Sequence, residues 1–96
     1  GHWTIEGART SQFENHIRAI TETPLGETSC THKYSAMINI IGKQGPIDKV
    51  LTLNNAHLHL YNKTEREGRK LGHITITSNT LDDLNTSLEA LSEFMP

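Results

Sequence analysis

Residues 58–73 hold two strand-like runs around a polar loop, and four of the chain's nine lysines and arginines (Lys63, Arg66, Arg69 and Lys70) fall there. His57-Leu58-His59-Leu60-Tyr61 alternates, so Leu58 and Leu60 point one way and His57, His59 and Tyr61 the other. A second strand over Arg69–Thr77 puts Lys70, Gly72, Ile74 and Ile76 on one face and Arg69, Leu71, His73, Thr75 and Thr77 on the other. The pattern predicts a hairpin that presents a cationic, phosphate-sized site at or beside its turn, with the rest of the chain as its frame. Neighbouring strand residues project oppositely, so Arg69 and Lys70 can share one ligand only if the strand is bulged or the ligand sits at its end.

The frame begins with Gly1-His2-Trp3-Thr4-Ile5-Glu6, whose alternation predicts a strand over residues 2–6. Ser11-Gln12-Phe13-Glu14 reads as a capping box that opens a helix over about 11–22, with Phe13, Ile17 and Ile20 as its apolar stripe and Glu14, Asn15 and Arg18 facing outward. Pro24 and Gly26 end it. Ser35–Ile41 is the most apolar run and predicts a central strand buried on both faces, with Asn39 needing a partner inside. Pro46 opens a short helix over 46–53 with Ile47, Val50 and Leu51 on one face. Thr80 and Asp83 cap a last helix over 80–94, whose stripe Leu81, Leu84, Leu88, Leu91 and Met95 packs on the sheet in preference to forming a dimer seam. The fold class is α+β: a small mixed or antiparallel sheet from residues 2–6, 34–41, 57–62 and 69–77, with about three helices.

Composition narrows the function. A net charge of −2 excludes the broad basic footprint of a nucleic-acid binder, so a basic site here is local. The single Cys30 fits a reducing compartment, and no apolar run approaches the roughly 20 residues of a membrane span, so the expected location is the cytoplasm. Only 34% of residues are hydrophobic and 5% aromatic, a lean core for this length that points to a missing neighbouring domain. The opening without Met, already inside a structured element, also reads as a fragment.

Other chemistry is thin. Cys30 and His32 make a Cys-x-His pair that lacks the further ligands of a metal site and the oriented base of a nucleophile. His16 has no local partner. His57 and His59 share a strand face and His73 is a candidate third ligand, but such faces also simply hydrogen-bond, and no metal ligand is assigned. In the loop, Glu65 and Glu67 offer the alternative that the cations are merely paired and solvated, an arrangement worth about 0–1 kcal/mol. The anion-site reading has Gly68 letting the backbone approach closely and Lys63 facing Arg69-Lys70 as a pincer.

Several tracts in order, Gly1-His2-Trp3-Thr4, Ser11 to Ala19, the Leu25-Gly26 turn, Met37 to Gly42, His57 to Tyr61 and Gly68-Arg69-Lys70-Leu71-Gly72-His73, resemble the carboxyl-terminal part of the 5-(carboxyamino)imidazole ribonucleotide synthases, ATP-grasp ligases of purine biosynthesis. The resemblance implies a longer enzyme that uses ATP and Mg²⁺ to activate bicarbonate and carboxylate aminoimidazole ribonucleotide, with an acidic metal ligand and an Arg-x-His-Asn-Ser tract upstream of Gly1. It implies that residues 1–23 end the ATP-grasp domain and that 24–96 form the small carboxyl-terminal domain. Lys63, Arg69 and Lys70 match the positions that hold the substrate's 5′-phosphate, Arg66 is a solvated neighbour, and no catalytic residue falls in this piece. It further implies a homodimer with neither nucleic-acid nor membrane partners. The rival readings are the tail of another ATP-grasp carboxylase or transformylase, and a stand-alone anion-binding module.

Overall fold

The computed structural model describes residues 1–95. Its elements in order are α1 (Thr4–Gly7), α2 (Gln12–Ile20), β1 (Tyr34–Ile41), α3 (Ile47–Leu51), β2 (Ala56–Leu60), β3 (Lys70–Ser78), α4 (Leu81–Ala90) and a 3-10 turn, Ser92–Phe94. The three strands form one antiparallel sheet in the order β1-β3-β2. The α+β class and the three later strands stand as the sequence predicts, and the sheet is antiparallel throughout.

Register sorts the two sheet faces. Ile38 and Leu58 lie opposite Ile74, Ala36 and Ala56 opposite Ile76, and Ile40 and Leu60 opposite Gly72. This apolar face meets α3, α4 and the 3-10 turn around a core of Ile38, Ile40, Val50, Leu71, Ile74, Ile76, Leu84, Leu91 and Phe94. The other face presents Met37 and His57 opposite Thr75, and Asn39 and His59 opposite His73. Trp3 and Gly7 of the α1 segment approach Ser35 there, where a Cβ on Gly7 would lie 2.9 Å from the Ser35 hydroxyl.

Two strand expectations are corrected. Residues 2–6 form no strand: Thr4 N–H donates to Gly1 O, Ile5 N–H to His2 O and Gly7 N–H to Trp3 O, which winds the segment into a helical turn. Five alternating residues fit an i, i+4 spacing as well as an i, i+2 one, and the fit of Trp3 against Gly7 favours the former. β1 is an edge strand, not a central one; only its Ile38 and Ile40 side is buried, and Met37 and Ile41 on the other side are exposed. The central strand is β3, in which every residue from Leu71 to Ser78 is buried. The apolar stripe of α2 is uncovered, with Phe13, Ile17 and Ile20 exposed at 45, 56 and 64%.

The last expected helix, over 80–94, stops at Ala90 and resumes as the 3-10 turn. Its packing stands for the middle of the stripe, where Leu84 and Leu91 are buried and Leu88 packs against them, whereas Leu81 and Met95 at its two ends are exposed. Both predicted caps form, since Ser11 Oγ accepts from Glu14 N–H at 3.0 Å and Thr80 Oγ1 from Asp83 N–H at 3.2 Å. The Glu14 carboxylate pairs with Arg18 at 2.6 Å, one turn on.

Candidate functional site

The hairpin between β2 and β3 carries the cations. Tyr61 N–H donates to Leu71 O at 2.9 Å, and Asn62 then takes a left-handed conformation (φ 57°) that turns the chain out of the sheet. Gly68 (φ 75°), a conformation glycine adopts without strain, returns it. Arg69 N–H closes the loop onto Arg66 O at 3.0 Å, and Gly42 N–H donates to Arg69 O at 2.8 Å, fastening the loop's end to the turn after β1.

Where β3 begins, Ile40 pairs with Gly72 but Ile41 pairs with Lys70, so Leu71 is an extra residue and the strand is bulged. The bulge breaks the simple alternation expected for residues 69–77. Leu71, assigned by that alternation to the His73 face, joins the apolar core. Arg69 and Lys70 sit just beyond the bulge, at the end of the strand, the arrangement under which both can address one ligand.

The three predicted phosphate contacts differ in surroundings. Lys63 and Lys70 are exposed, and Lys63 Nζ lies 5.7 Å from the centre of the Tyr61 ring. Arg69 is half-buried and donates from Nη1 to the carbonyl and hydroxyl oxygens of Thr64 at 3.2 and 3.1 Å, so it also staples the loop. Among the described residues the ion pairs are Arg9–Glu27, Arg18–Glu14, Lys49–Glu93 and His59–Glu6. None involves a loop cation, so the pairing of Glu65 and Glu67 with their basic neighbours is not realised. Arg66 is exposed and lines, with Lys43, Glu65 and Glu67, a cleft of about 590 Å³ on the β1 side of the loop.

A second polar group lies on the sheet face beneath α1. His59 and His73 face each other across β2 and β3, with stacked rings 4.5 Å apart. His59 Nε2 donates to the Glu6 carboxylate, 2.8 Å from one oxygen and 3.0 Å from the other. Tyr61 Oη and His73 Nδ1 are hydrogen-bonded at 2.7 Å, and the His2 ring lies 5.0 Å from that of His73. Burial pushes the His73 imidazole down to about 4, with the charges of His59 and His2 acting the same way and Glu6 opposing. Burial also raises the Tyr61 phenol above its ordinary range. One donor atom each from Glu6, His59 and His73 lies within 4.8 Å of the other two.

Alternation had put His59 on this face, and His73 was in view as a third ligand. Glu6 and His2 were missed because the turn that carries them was read as a strand. His57, the other histidine of the strand pair, is exposed and stands outside the cluster. Cys30 is an exposed free thiol, and His16 is likewise exposed.

An antiparallel three-stranded sheet with helices over its apolar face and a basic hairpin at its end defines a small α+β domain. Residues 35–87, more than half of the chain, match the phosphoribosylaminoimidazole carboxylase C-terminal domain. The chain belongs to that family. It is 43% identical over 95 residues to the N5-carboxyaminoimidazole ribonucleotide synthase of Vibrio parahaemolyticus, covering 99% of this chain and 25% of that protein. Among solved structures, the N5-carboxyaminoimidazole ribonucleotide synthetase of Thermus thermophilus superposes with a TM-score of 0.93 at 52% identity, over 99% of this chain and 26% of that one. The Aspergillus clavatus N5-carboxyaminoimidazole synthase, solved with ADP and 5-aminoimidazole ribonucleotide, gives a TM-score of 0.84 at 38% identity, over 97% and 27%. The chain spans about a quarter of the length of the curated relatives it matches.

Proposed function

We propose that this chain is the carboxyl-terminal part of an ATP-dependent carbon–nitrogen ligase that carboxylates aminoimidazole ribonucleotide with bicarbonate in purine biosynthesis. The single observation that carries its own contribution is that the loop cations are paired with no carboxylate among the described residues, with Arg69 and Lys70 at the bulged end of β3 and Lys63 in the loop that leads to it. In a chain similar from end to end to enzymes of that reaction, Lys63, Arg69 and Lys70 hold the ribonucleotide's 5′-phosphate.

Exposed Lys63 and Lys70 supply ammonium donors, and Arg69 supplies the guanidinium N–H groups left over from its bonds to Thr64. Each charge-assisted bond contributes on the order of 1.5–3 kcal/mol. Fixing the phosphate restrains the substrate so that its exocyclic amine meets the activated carboxyl group in a reactive arrangement. These residues position; none of them transfers a proton or attacks.

ATP is the energy source in this reading, consistent with the nucleotide bound in the Aspergillus relative. The Glu6–His59–His73 cluster does not fit Mg²⁺, which takes oxygen ligands almost exclusively, and this supports the reading that the ligands of Mg²⁺ and its nucleotide lie mostly in the rest of the enzyme. Residues 1–23 end the ATP-grasp domain and 24–96 form the small domain. The uncovered stripe of Phe13, Ile17 and Ile20 supports this, because it needs an apolar surface that the described residues do not provide. Among the described residues no helix is long and apolar enough to cross a membrane. A cytoplasmic homodimer completes the proposal.

The test is turnover by the full-length protein. ADP release should depend on both aminoimidazole ribonucleotide and bicarbonate, with a carboxylated ribonucleotide as product. Release independent of the ribonucleotide would overturn the assignment, and phosphate binding without any turnover would favour an anion-binding module.

A further inference from the structure

We propose that Glu6, His59 and His73 form a binding site for a divalent transition-metal ion of the zinc type, which clamps α1 onto the β2–β3 hairpin.

Two imidazoles and one carboxylate are a recurrent donor set for such ions. Here they come from three separate elements, α1, β2 and β3, with one donor atom of each within 4.8 Å of the others. His73 is 1% exposed and its Nε2 is buried with no hydrogen-bond partner among the described residues. An imidazole nitrogen so enclosed carries an uncompensated desolvation cost that a metal bond would remove. Its other nitrogen, Nδ1, is already held by Tyr61 Oη at 2.7 Å. A metal-binding histidine is commonly fixed in this way, with one nitrogen hydrogen-bonded so that the other presents its lone pair.

The donor atoms, spread over as much as 4.8 Å and with the His59 and His73 rings stacked, must draw together and the rings must turn to admit the ion. Ligands about 2.0–2.1 Å from a tetrahedral metal stand about 3.3 Å apart. The Glu6 oxygens lie 2.8 and 3.0 Å from His59 Nε2, so admitting the ion requires that pair to open by a few tenths of an ångström and give up its shared proton. The site is separate from the loop cations and does not depend on their assignment.

The experiment uses the full-length protein, stripped with a chelator and then titrated with Zn²⁺ and, as a spectroscopic stand-in, Co²⁺. The readouts are metal content after dialysis, the visible absorption of bound Co²⁺ and the thermal midpoint, none of which requires turnover. Excess Mg²⁺ is present throughout to occupy oxygen-ligand sites. The wild-type protein is expected to retain Zn²⁺, to show the intense visible bands of low-coordinate Co²⁺, and to melt at a higher temperature with metal. Glu6→Gln, nearly isosteric and on a half-buried turn, is expected to weaken Zn²⁺ binding at least tenfold and to lose the thermal shift. His59→Asn should do the same. Equal metal retention in the wild type and both folded variants would overturn the proposal, as would a wild-type protein that shows neither Co²⁺ bands nor a Zn²⁺-dependent midpoint.

Discussion

Gly72 shows how one residue conditions the hairpin. It lies opposite Leu60 in β2 and Ile40 in β1, and a Cβ added there would stand 2.2 Å from the His59 carbonyl oxygen and 3.2 Å from Leu60 Cα. Both obstacles are backbone, so β2 must move away. Gly72→Ala is therefore expected to destabilise the domain by about 3 kcal/mol or more in urea unfolding, the upper range for overpacking. A change within 0.5 kcal/mol would mean that β2 is looser than described. At the loop, Lys70→Ala in the full-length enzyme is expected to raise the apparent KM for the ribonucleotide roughly tenfold or more, the loss of one charge-assisted bond, with little change in that for ATP. Equal effects on both substrates would make Lys70 structural. Arg69 differs, because its Nη1 also holds Thr64. Arg69→Lys keeps the charge but loses the fork, so it should lower loop order and ribonucleotide affinity together, read as faster proteolysis between Asn62 and Gly68.

The elements differ in how local their causes are. Ser11 and Thr80 sit three residues from the amides they cap, so α2 and α4 could be read from short windows of sequence. Thr80→Ala should cost about 1 kcal/mol of stability, and a neutral result would show that the cap is redundant. The strands of the hairpin were legible for the same reason, since alternation is written residue by residue. α1 was not: a five-residue window carries two periodicities equally well, and what decides between them is packing, of Trp3 on Gly7 within the turn and of Glu6 on His59 across 53 positions. The burial of β1 was illegible too, because whether its second face is covered depends on an element elsewhere in the chain. The bulge at Leu71 falls under the same limit; in the sequence it stood only as one of two ways, beside a ligand at the strand's end, for Arg69 and Lys70 to meet one ligand. The α2 stripe makes the element-scale prediction. Ile17→Ser should leave the stability of the 96-residue chain by itself nearly unchanged, because the side chain is 56% exposed there, but should destabilise the full-length enzyme by about 1 kcal/mol or more. The same small effect in both contexts would remove the covering surface from the account.

In the whole molecule, the sheet's two faces divide the labour. One buries the apolar core against α3, α4 and the 3-10 turn, and the other carries the polar His59–His73 layer and receives α1. The hairpin common to both ends in the cationic loop, so the core that stabilises the sheet also fixes where the cations stand. Most of the fold was open to reading in the sequence, whereas the histidine cluster became visible only when α1, β2 and β3 were brought together. The central claim is that Lys63, Arg69 and Lys70 recognise a phosphate. Its most direct test is calorimetric binding of aminoimidazole ribonucleotide and of its nucleoside, which lacks the phosphate, to the full-length enzyme and to its Lys63→Ala/Lys70→Ala variant. The account predicts that the variant loses most of its advantage for the ribonucleotide while binding the nucleoside as the wild type does. Equal losses for both ligands, or a preference for the ribonucleotide that survives intact, would contradict it.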